Sequence, residues 1–260
     1  MRVIILCGGV GTRLKEETEF RPKPMVYVGN KPIIWHIMKI YSHFGFNEFI
    51  LALGYKANYI KEFFLNQKAF TSDFTLETAN YKTTYYLKNR EDGEIDNFKI
   101  TFVDTGLETL VGERILRCKK YIPDEDQFFC VTYGDGVADI NISNLVEFHK
   151  KRKRIGTITG VHPRSKFGLL QHDRKGVVRK FIEKPVLNEW TNGGFMIFDK
   201  RLFDYIKKGE MEHPVLKRLI KKEQLALYKH HGFWFAVDTN KELEDLNRIW
   251  NQGNPPWKVW

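Results

Sequence analysis

Cysteine is scarce in this chain of 260 residues, which has only Cys7, Cys118 and Cys130. An odd number without metal-ligand spacing gives neither a disulfide framework nor a structural zinc site. Reduced, buried thiols in a cytoplasmic protein are the reading this supports. Long apolar runs are absent as well, so no membrane helix and no membrane partner are expected. Met1-Arg2 leads straight into an apolar run that Gly8 ends early, so no signal peptide is expected. No Pro-, Gly- or Ser-rich linker and no internal repeat interrupts the chain. With 42% hydrophobic residues, residues 1–260 are expected to build one domain around one sizeable core.

Acidic residues are outnumbered: 42 Lys and Arg against 32 Asp and Glu leave a net charge of +10. A nucleic-acid binder would gather that excess into one stripe interleaved with aromatics. Here Lys150-Lys151-Arg152-Lys153-Arg154 is the only dense run, and it closes a predicted helix, where cations suit the dipole. The charge therefore fits a solvated face and small anionic substrates, and no nucleic-acid partner is expected.

What the chain does have is concentrated at its start. Val3 to Leu6 form a β-branched apolar run that reads as a strand buried on both faces. Gly8, Gly9 and Gly11 follow, then Thr12 and Arg13. Glycines let backbone N–H groups close on an anion, and a guanidinium makes forked contacts with phosphate oxygens. This cradle is not a dinucleotide fingerprint, because Leu14 stands where the third glycine belongs. Nor is it a P-loop, since no Gly-Lys-Ser/Thr accompanies it. Downstream, Pro22 and Pro24 hold Lys23 in stiff backbone, placed to meet the same anion.

Gly8-Gly9-Val10-Gly11-Thr12-Arg13-Leu14 with Lys23-Pro24 resembles the signature of the sugar-phosphate nucleotidylyltransferases. Lys15-Glu16-Glu17-Thr18, Pro22-Lys23-Pro24-Met25-Val26 and Trp35-His36-Ile37-Met38 most resemble the family's cytidylyltransferase branch. The likeness continues through Tyr133-Gly134-Asp135-Gly136, Glu183-Lys184-Pro185, Asn192-Gly193-Gly194 and Pro256-Trp257-Lys258. It implies CTP and glucose 1-phosphate as substrates, Mg²⁺ as cofactor, a homo-oligomer, and a product used in deoxysugar or O-antigen-type polysaccharide synthesis. The thymidylyltransferase and uridylyltransferase branches are the alternatives within the family. A nucleotide-sensing protein without turnover is the alternative from another class.

Apolar periodicity predicts a helix over Ile34 to Phe44 ended by Gly45, a strand over Phe49 to Leu53, and a helix over Tyr59 to Phe64 capped by Asn58. His36 reads as a packing or hydrogen-bonded residue rather than a base. Thr71 to Asn97 reads as a hairpin or excursion, with a turn at Arg90-Glu91-Asp92-Gly93. Strands are predicted over Ile100 to Val103 and Gln127 to Thr132, with a helix over Gly112 to Cys118 between them. Alternating strands and helices imply a parallel sheet with crossovers. Strand-like segments then run over Ile155 to Val161, Gly168 to Gln171, Val177 to Glu183 and Thr191 to Phe198, with a hairpin turn at Asp173 to Gly176. Helices near Arg201 to Lys207, Val215 to Lys222 and Lys241 to Trp250 complete the chain. The expected fold is α/β: a Rossmann-like three-layer α/β/α arrangement whose mixed, mainly parallel sheet carries an added antiparallel sugar-binding portion. Residues 1–140 are expected to serve mainly the nucleotide, and residues 141–260 the sugar phosphate and the apolar tail.

Asp135, between Gly134 and Gly136 at a strand's end, can reach a metal or nucleotide, or can be an ordinary turn aspartate. The resemblance makes it the Mg²⁺ ligand, and leaves Asp139 to start the next helix. Asp238 is either a helix cap or a second ligand, and the resemblance favours the ligand. By the same resemblance Lys184 grips the sugar phosphate, Glu183 meets sugar hydroxyls, and Asn192-Gly193 contact the hexose, although Asn-Gly-Gly is also turn chemistry. Arg13 is expected at the pyrophosphate and Lys23 at the α-phosphate. For the base, a carbonyl between Leu6, Cys7 and Gly8 would accept from cytosine N4. By the resemblance to the cytidylyltransferase branch, Thr109 or Arg114 match positions near the nucleotide and would donate to N3 or O2, unless Arg114 is simply a solvated helix residue.

Overall fold

The computed structural model describes residues 1–86 and 96–260. In chain order the main elements are β1 (Val3–Cys7), α1 (Ile33–His43), β2 (Glu48–Leu53), α2 (Ala57–Leu65), β3 (Asp73–Glu77), β4 (Lys82–Tyr86), β5 (Lys99–Asp104) and α3 (Val111–Cys118). Then come β6 (Phe128–Tyr133), β7 (Gly136–Ala138), α4 (Ile142–Arg152), β8 (Gly156–Val161), β9 (Leu169–His172) and β10 (Val178–Ile182). The chain closes with β11 (Thr191–Asn192), β12 (Met196–Asp199), α5 (Glu212–Lys221), β13 (Leu225–Lys229), β14 (Trp234–Ala236) and α6 (Asn240–Asn251).

One sheet runs in the order β11-β8-β12-β6-β1-β2-β5, with β13 also paired to β8. Both halves of the chain contribute to it. β6, β1, β2 and β5 are parallel to one another, and β13 is parallel to β8. β12 is antiparallel to both β6 and β8, which joins the two halves. The alternation of β1 explains the layers: Val3, Ile5 and Cys7 pack on one face, Ile4 on the other. The first face is covered by α1, the interior side of α4 and Leu246 of α6. The second is covered by α3 and α5 through Ile115, Val215 and Leu219. The result is the mixed, mainly parallel three-layer fold expected.

The tail docks on the first layer. Trp257 is fully buried against Phe233, Trp250 and His36. His36 bonds Val28 O at 2.9 Å and receives the Trp257 indole N–H at 3.4 Å. Burial holds its pKa down to about 4, so it packs as a neutral ring. Among the described residues no helix is long and apolar enough to cross a membrane.

Local details differ from the sequence expectations for identifiable reasons. α2 begins at Ala57 after a left-handed Lys56, so Asn58 lies inside its first turn and caps nothing. α4 is capped by the Asn141 side chain, whereas Asp139 pairs with His230 at 2.9 Å. The expected strand over Thr191 to Phe198 is broken because Gly194 and Phe195 are both left-handed (φ 75° and 45°), which no extended strand tolerates. Lys200–Tyr205 is a 3₁₀ segment, and the strand β13 was not anticipated. β3 and β4 pair as a hairpin inside the predicted excursion. The Arg90-Glu91-Asp92-Gly93 turn lies outside the described residues.

Candidate active site

The glycine loop leaves β1 at the carboxyl end of the sheet, beside the end of the parallel strand β6. In open parallel sheets this edge is where ligands bind. Gly11 is left-handed at φ 69°, and a Cβ there would lie 2.9 Å from Thr18 Cγ2. Gly9 faces open space, and Thr12 and Arg13 are exposed beside it. The Arg13 guanidinium, 76% exposed, reaches Asp238 Oδ2 at 3.4 Å.

Lys23 is seated by its prolines. Pro24 packs so closely on Gly134 that a Cβ there would sit 2.8 Å from Pro24 Cγ. Gly134 N–H also donates to Leu6 O at 3.2 Å, tying β6 to β1. Asp135 follows, and the pairing of β7 with β14 brings Asp238 up to it, with Val237 N–H donating to Asp135 O at 2.9 Å. Thr239, not Asp238, caps α6: its hydroxyl accepts from Glu242 N–H at 3.3 Å. The Asp238 carboxylate is therefore left for other work.

That work is shared with Asp135. The Lys23 ammonium lies 2.5 Å from Asp135 Oδ2 and 2.7 Å from Asp238 Oδ1. Burial alone would lower the Lys23 pKa, but Asp135 first and Asp238 second raise it above the usual value. Burial pushes the Asp238 pKa up, and the Lys23 hydrogen bond and charge, then Arg13 and Lys166, bring it below the usual carboxylate range. Lys166, from the loop before β9, pairs with Glu242 at 3.1 Å. It was not singled out in the sequence and lies in no motif considered there.

Two hard carboxylates converging on one cation position fit Mg²⁺, which takes one or two carboxylates and fills the rest with water and substrate phosphates. Among the described residues no group of three or more acidic, His or Cys side chains is arranged to hold a metal ion. The donor set is thus the sparse one that leaves room for phosphates.

Beside the carboxylates a cavity of about 290 Å³ is lined by Asp135, Asp238, Tyr133, Asn192, Gly193 and Trp234, among others. The Trp234 indole N–H donates to Gly193 O at 2.8 Å, which orients the broken strand β11–β12 toward the cavity. Sequence reasoning placed Asn192 and Gly193 here but passed over Tyr133, though it heads the Tyr-Gly-Asp-Gly motif. Trp234 lay in an apolar strand run and gave no signal of its own.

Other predicted residues lie elsewhere. Glu183 and Lys184 pair with each other at 3.7 Å on the exposed β9–β10 arm and are not among the cavity-lining residues. Lys184 is left-handed (φ 43°) immediately before Pro185. Arg114 is buried at 4% exposure rather than solvated. Its Nη1 donates to Leu53 O, Thr105 Oγ1 and Gly106 O, and its Nη2 to Gly8 O and Leu107 O. It clamps the glycine loop to the ends of β2 and β5, and a Cβ on Gly8 would collide with it at 2.1 Å. Leu6 O and Gly8 O already accept protein N–H groups, the latter from Tyr55 at 3.2 Å. The Cys7 thiol is buried and its pKa is raised chiefly by that burial. Thr109 flanks the clamp, next to Gly106.

Among the described residues lining the cavity there is no thiol and no hydroxyl paired with a base placed to activate it as a nucleophile. Its equipment is a carboxylate pair, confined cations and a glycine loop, which handle phosphates by position and charge. That fits a transferase of nucleotidyl or phosphoryl groups. The chain belongs to the nucleotidyl transferase family, whose model matches residues 2–252. It is 44% identical over 263 residues to the "Probable glucose-1-phosphate cytidylyltransferase" of Bacillus subtilis, with all of both chains covered. It is 40% identical over 263 residues to the glucose-1-phosphate cytidylyltransferase of Salmonella typhimurium, again over all of both chains. Among solved structures, HddC from Yersinia pseudotuberculosis shares the fold with a TM-score of 0.68 at 23% identity, over 96% of this chain and 99% of that one.

Proposed function

We propose that this nucleotidyltransferase moves CMP from CTP to glucose 1-phosphate, forming CDP-glucose and pyrophosphate with Mg²⁺ as cofactor. The observation that carries the reading is the Lys23 ammonium held between Asp135 and Asp238 beside the glycine loop. The names of the full-length relatives supply the base and the sugar.

An oxygen of the sugar phosphate attacks the α-phosphorus of CTP in line, and pyrophosphate leaves. The attacking oxygen is already anionic, so the protein needs no general base. Its task is to hold two polyanions together, by positioning and by neutralising charge. Asp135 and Asp238 would hold the Mg²⁺, which supplies charge neutralisation shared between phosphates. Lys23, released from the carboxylates, turns to the α-phosphate. Arg13 and the open N–H groups near Gly9 receive the pyrophosphate, and Lys184 brings the sugar phosphate in from the arm. In this division residues 1–140 serve mainly the nucleotide, while residues 141–260 serve mainly the hexose.

The enzyme works in the cytoplasm as a homo-oligomer. Two hairpin arms support assembly, exposing Phe74 and Leu76 on β3 and Leu170, Val178 and Phe181 on β9 and β10. Light scattering on the purified protein reads the subunit number directly. The activity is tested by pyrophosphate release across a matrix of nucleoside triphosphates and hexose 1-phosphates, with CTP and glucose 1-phosphate expected to lead. Equal turnover with dTTP would place the protein on the thymidylyl branch instead.

A further inference from the structure

Behind the cavity wall stands a carboxylate that no step above uses. Glu212, in the first turn of α5, accepts the Tyr133 hydroxyl at 2.5 Å. Its other oxygen lies 3.5 Å from Asn192 Nδ2, which also donates to the Tyr133 oxygen at 3.1 Å. Asn192 Oδ1 accepts from Gly194 N–H at 3.0 Å. Tyr133 and Asn192 line the cavity, whereas Glu212 is not among the lining residues.

The hydrogen-bond directions in this cluster follow from its geometry: the Tyr133 hydroxyl donates to Glu212, and the Asn192 amide donates to the Tyr133 oxygen. Burial, then the charge of Glu212, push the Tyr133 phenol pKa up, so the proton stays on the tyrosine and the carboxylate accepts it. Burial likewise raises the Glu212 pKa, and the bonds from Tyr133 and Asn192 only partly counter that rise. An ionised carboxylate only accepts, and a hydroxyl has one proton to give. With that proton committed to Glu212, the tyrosine oxygen has only lone pairs to offer elsewhere. The Asn192 amide hydrogens are drawn toward the same pair, and its Oδ1 keeps a spare lone pair. The wall is therefore short of donors and rich in acceptors. Such a surface suits O–H groups and disfavours a phosphate, which is anionic and accepts only.

We propose that Glu212 is a positioning residue that makes Tyr133 and Asn192 an acceptor wall for the hexose hydroxyls, turning the sugar ring to this wall and its phosphate toward the cations. The inference rests on the cavity being the hexose site of the proposed reaction. It assigns Glu212 a part in acceptor specificity, through two residues and without touching the substrate.

Glu212→Gln is the test, because it keeps the shape while adding a donor and removing the charge. The expected result is a KM for glucose 1-phosphate raised about 10–100-fold, with the KM for CTP within about twofold and an unchanged melting temperature. Monodeoxy analogues of glucose 1-phosphate separate this from a general loss of packing. The wild type loses affinity when the hydroxyl facing the wall is removed, and Glu212→Gln shows no further loss for that analogue. Tyr133→Phe removes only the hydroxyl, gives the same pattern, and carries the test alone if Glu212→Gln does not fold. A folded Glu212→Gln with the wild-type KM for glucose 1-phosphate, or equal penalties for every deoxy analogue in wild type and variant, overturns the inference. A wild type that transfers no nucleotidyl group to any hexose phosphate overturns the proposed function first, and this inference with it.

Discussion

Lys23 and Asp135 stand 112 residues apart in sequence, yet the lysine ammonium lies 2.5 Å from the aspartate carboxylate. Gly134 permits the approach by admitting Pro24 against the backbone that carries Asp135. With Asp238 on its other side, Lys23 acts as the internal counter-ion of a carboxylate pair that fits a metal. In the proposed reaction, metal and nucleotide entry would exchange that ammonium for other cations.

The ion cluster sets a pH dependence of stability. The Asp238 pKa is depressed in the folded state, so its contribution is present above the unfolded value of about 3.9 and is lost as pH falls through the folded one. The Lys23 pKa is raised, so its contribution is complete below the unfolded value of about 10.4 and is lost as pH climbs through the folded one. Lys23→Met should cost about 1–3 kcal/mol near neutrality, with the difference from wild type narrowing at both extremes. Denaturant melts across pH check this; a constant difference down to strongly acid pH would contradict it.

Asp135→Asn and Asp238→Asn should each abolish most turnover while leaving the fold intact. EDTA should stop the wild type, and added Mg²⁺ should restart it. Full activity in EDTA would remove the carboxylate pair from metal duty.

Arg114→Ala should act on stability before specificity. Removing the guanidinium takes one donor each from the carbonyls of Leu53, Gly106 and Gly8 and empties the space it fills between them, which predicts a loss of about 1–3 kcal/mol and a loosened glycine loop. Thermal melts with and without nucleotide read the effect. An unchanged melting temperature with a narrowed preference for CTP over dTTP would instead return Arg114 to the base.

These residues show where sequence reading succeeds and where it runs out. β1, the glycine loop and the stiff Lys23 segment were legible because each is local: an apolar run, then residues whose backbone freedom or restraint is their own. The convergence on Lys23 was not, since Asp238 lies 215 residues away and is delivered by strand pairing. The clamp made by Arg114 was not legible because its partners are mostly carbonyls, which carry no sequence signal. Thr239-Asn240-Lys241-Glu242 is a capping box that settles the cap of α6, and reading it would have freed Asp238 from that role at once. Glu212 sits in no motif and becomes visible only with its hydroxyl partner in place.

The two phosphate contacts should separate kinetically. Arg13→Ala is expected to lower turnover about 10²–10³-fold, as for a positioned transition-state donor. Lys184→Ala should raise the KM for glucose 1-phosphate while leaving CTP nearly unaffected. The opposite pattern for Lys184 would place its arm over the nucleotide.

The central claim is nucleotidyl transfer at the α-phosphorus, and labelled CTP tests it most directly. With glucose 1-phosphate and Mg²⁺, α-³²P should appear in a sugar nucleotide and γ-³²P in pyrophosphate. Label from the γ-position in the sugar product, or α-label that never leaves CTP, would contradict the account.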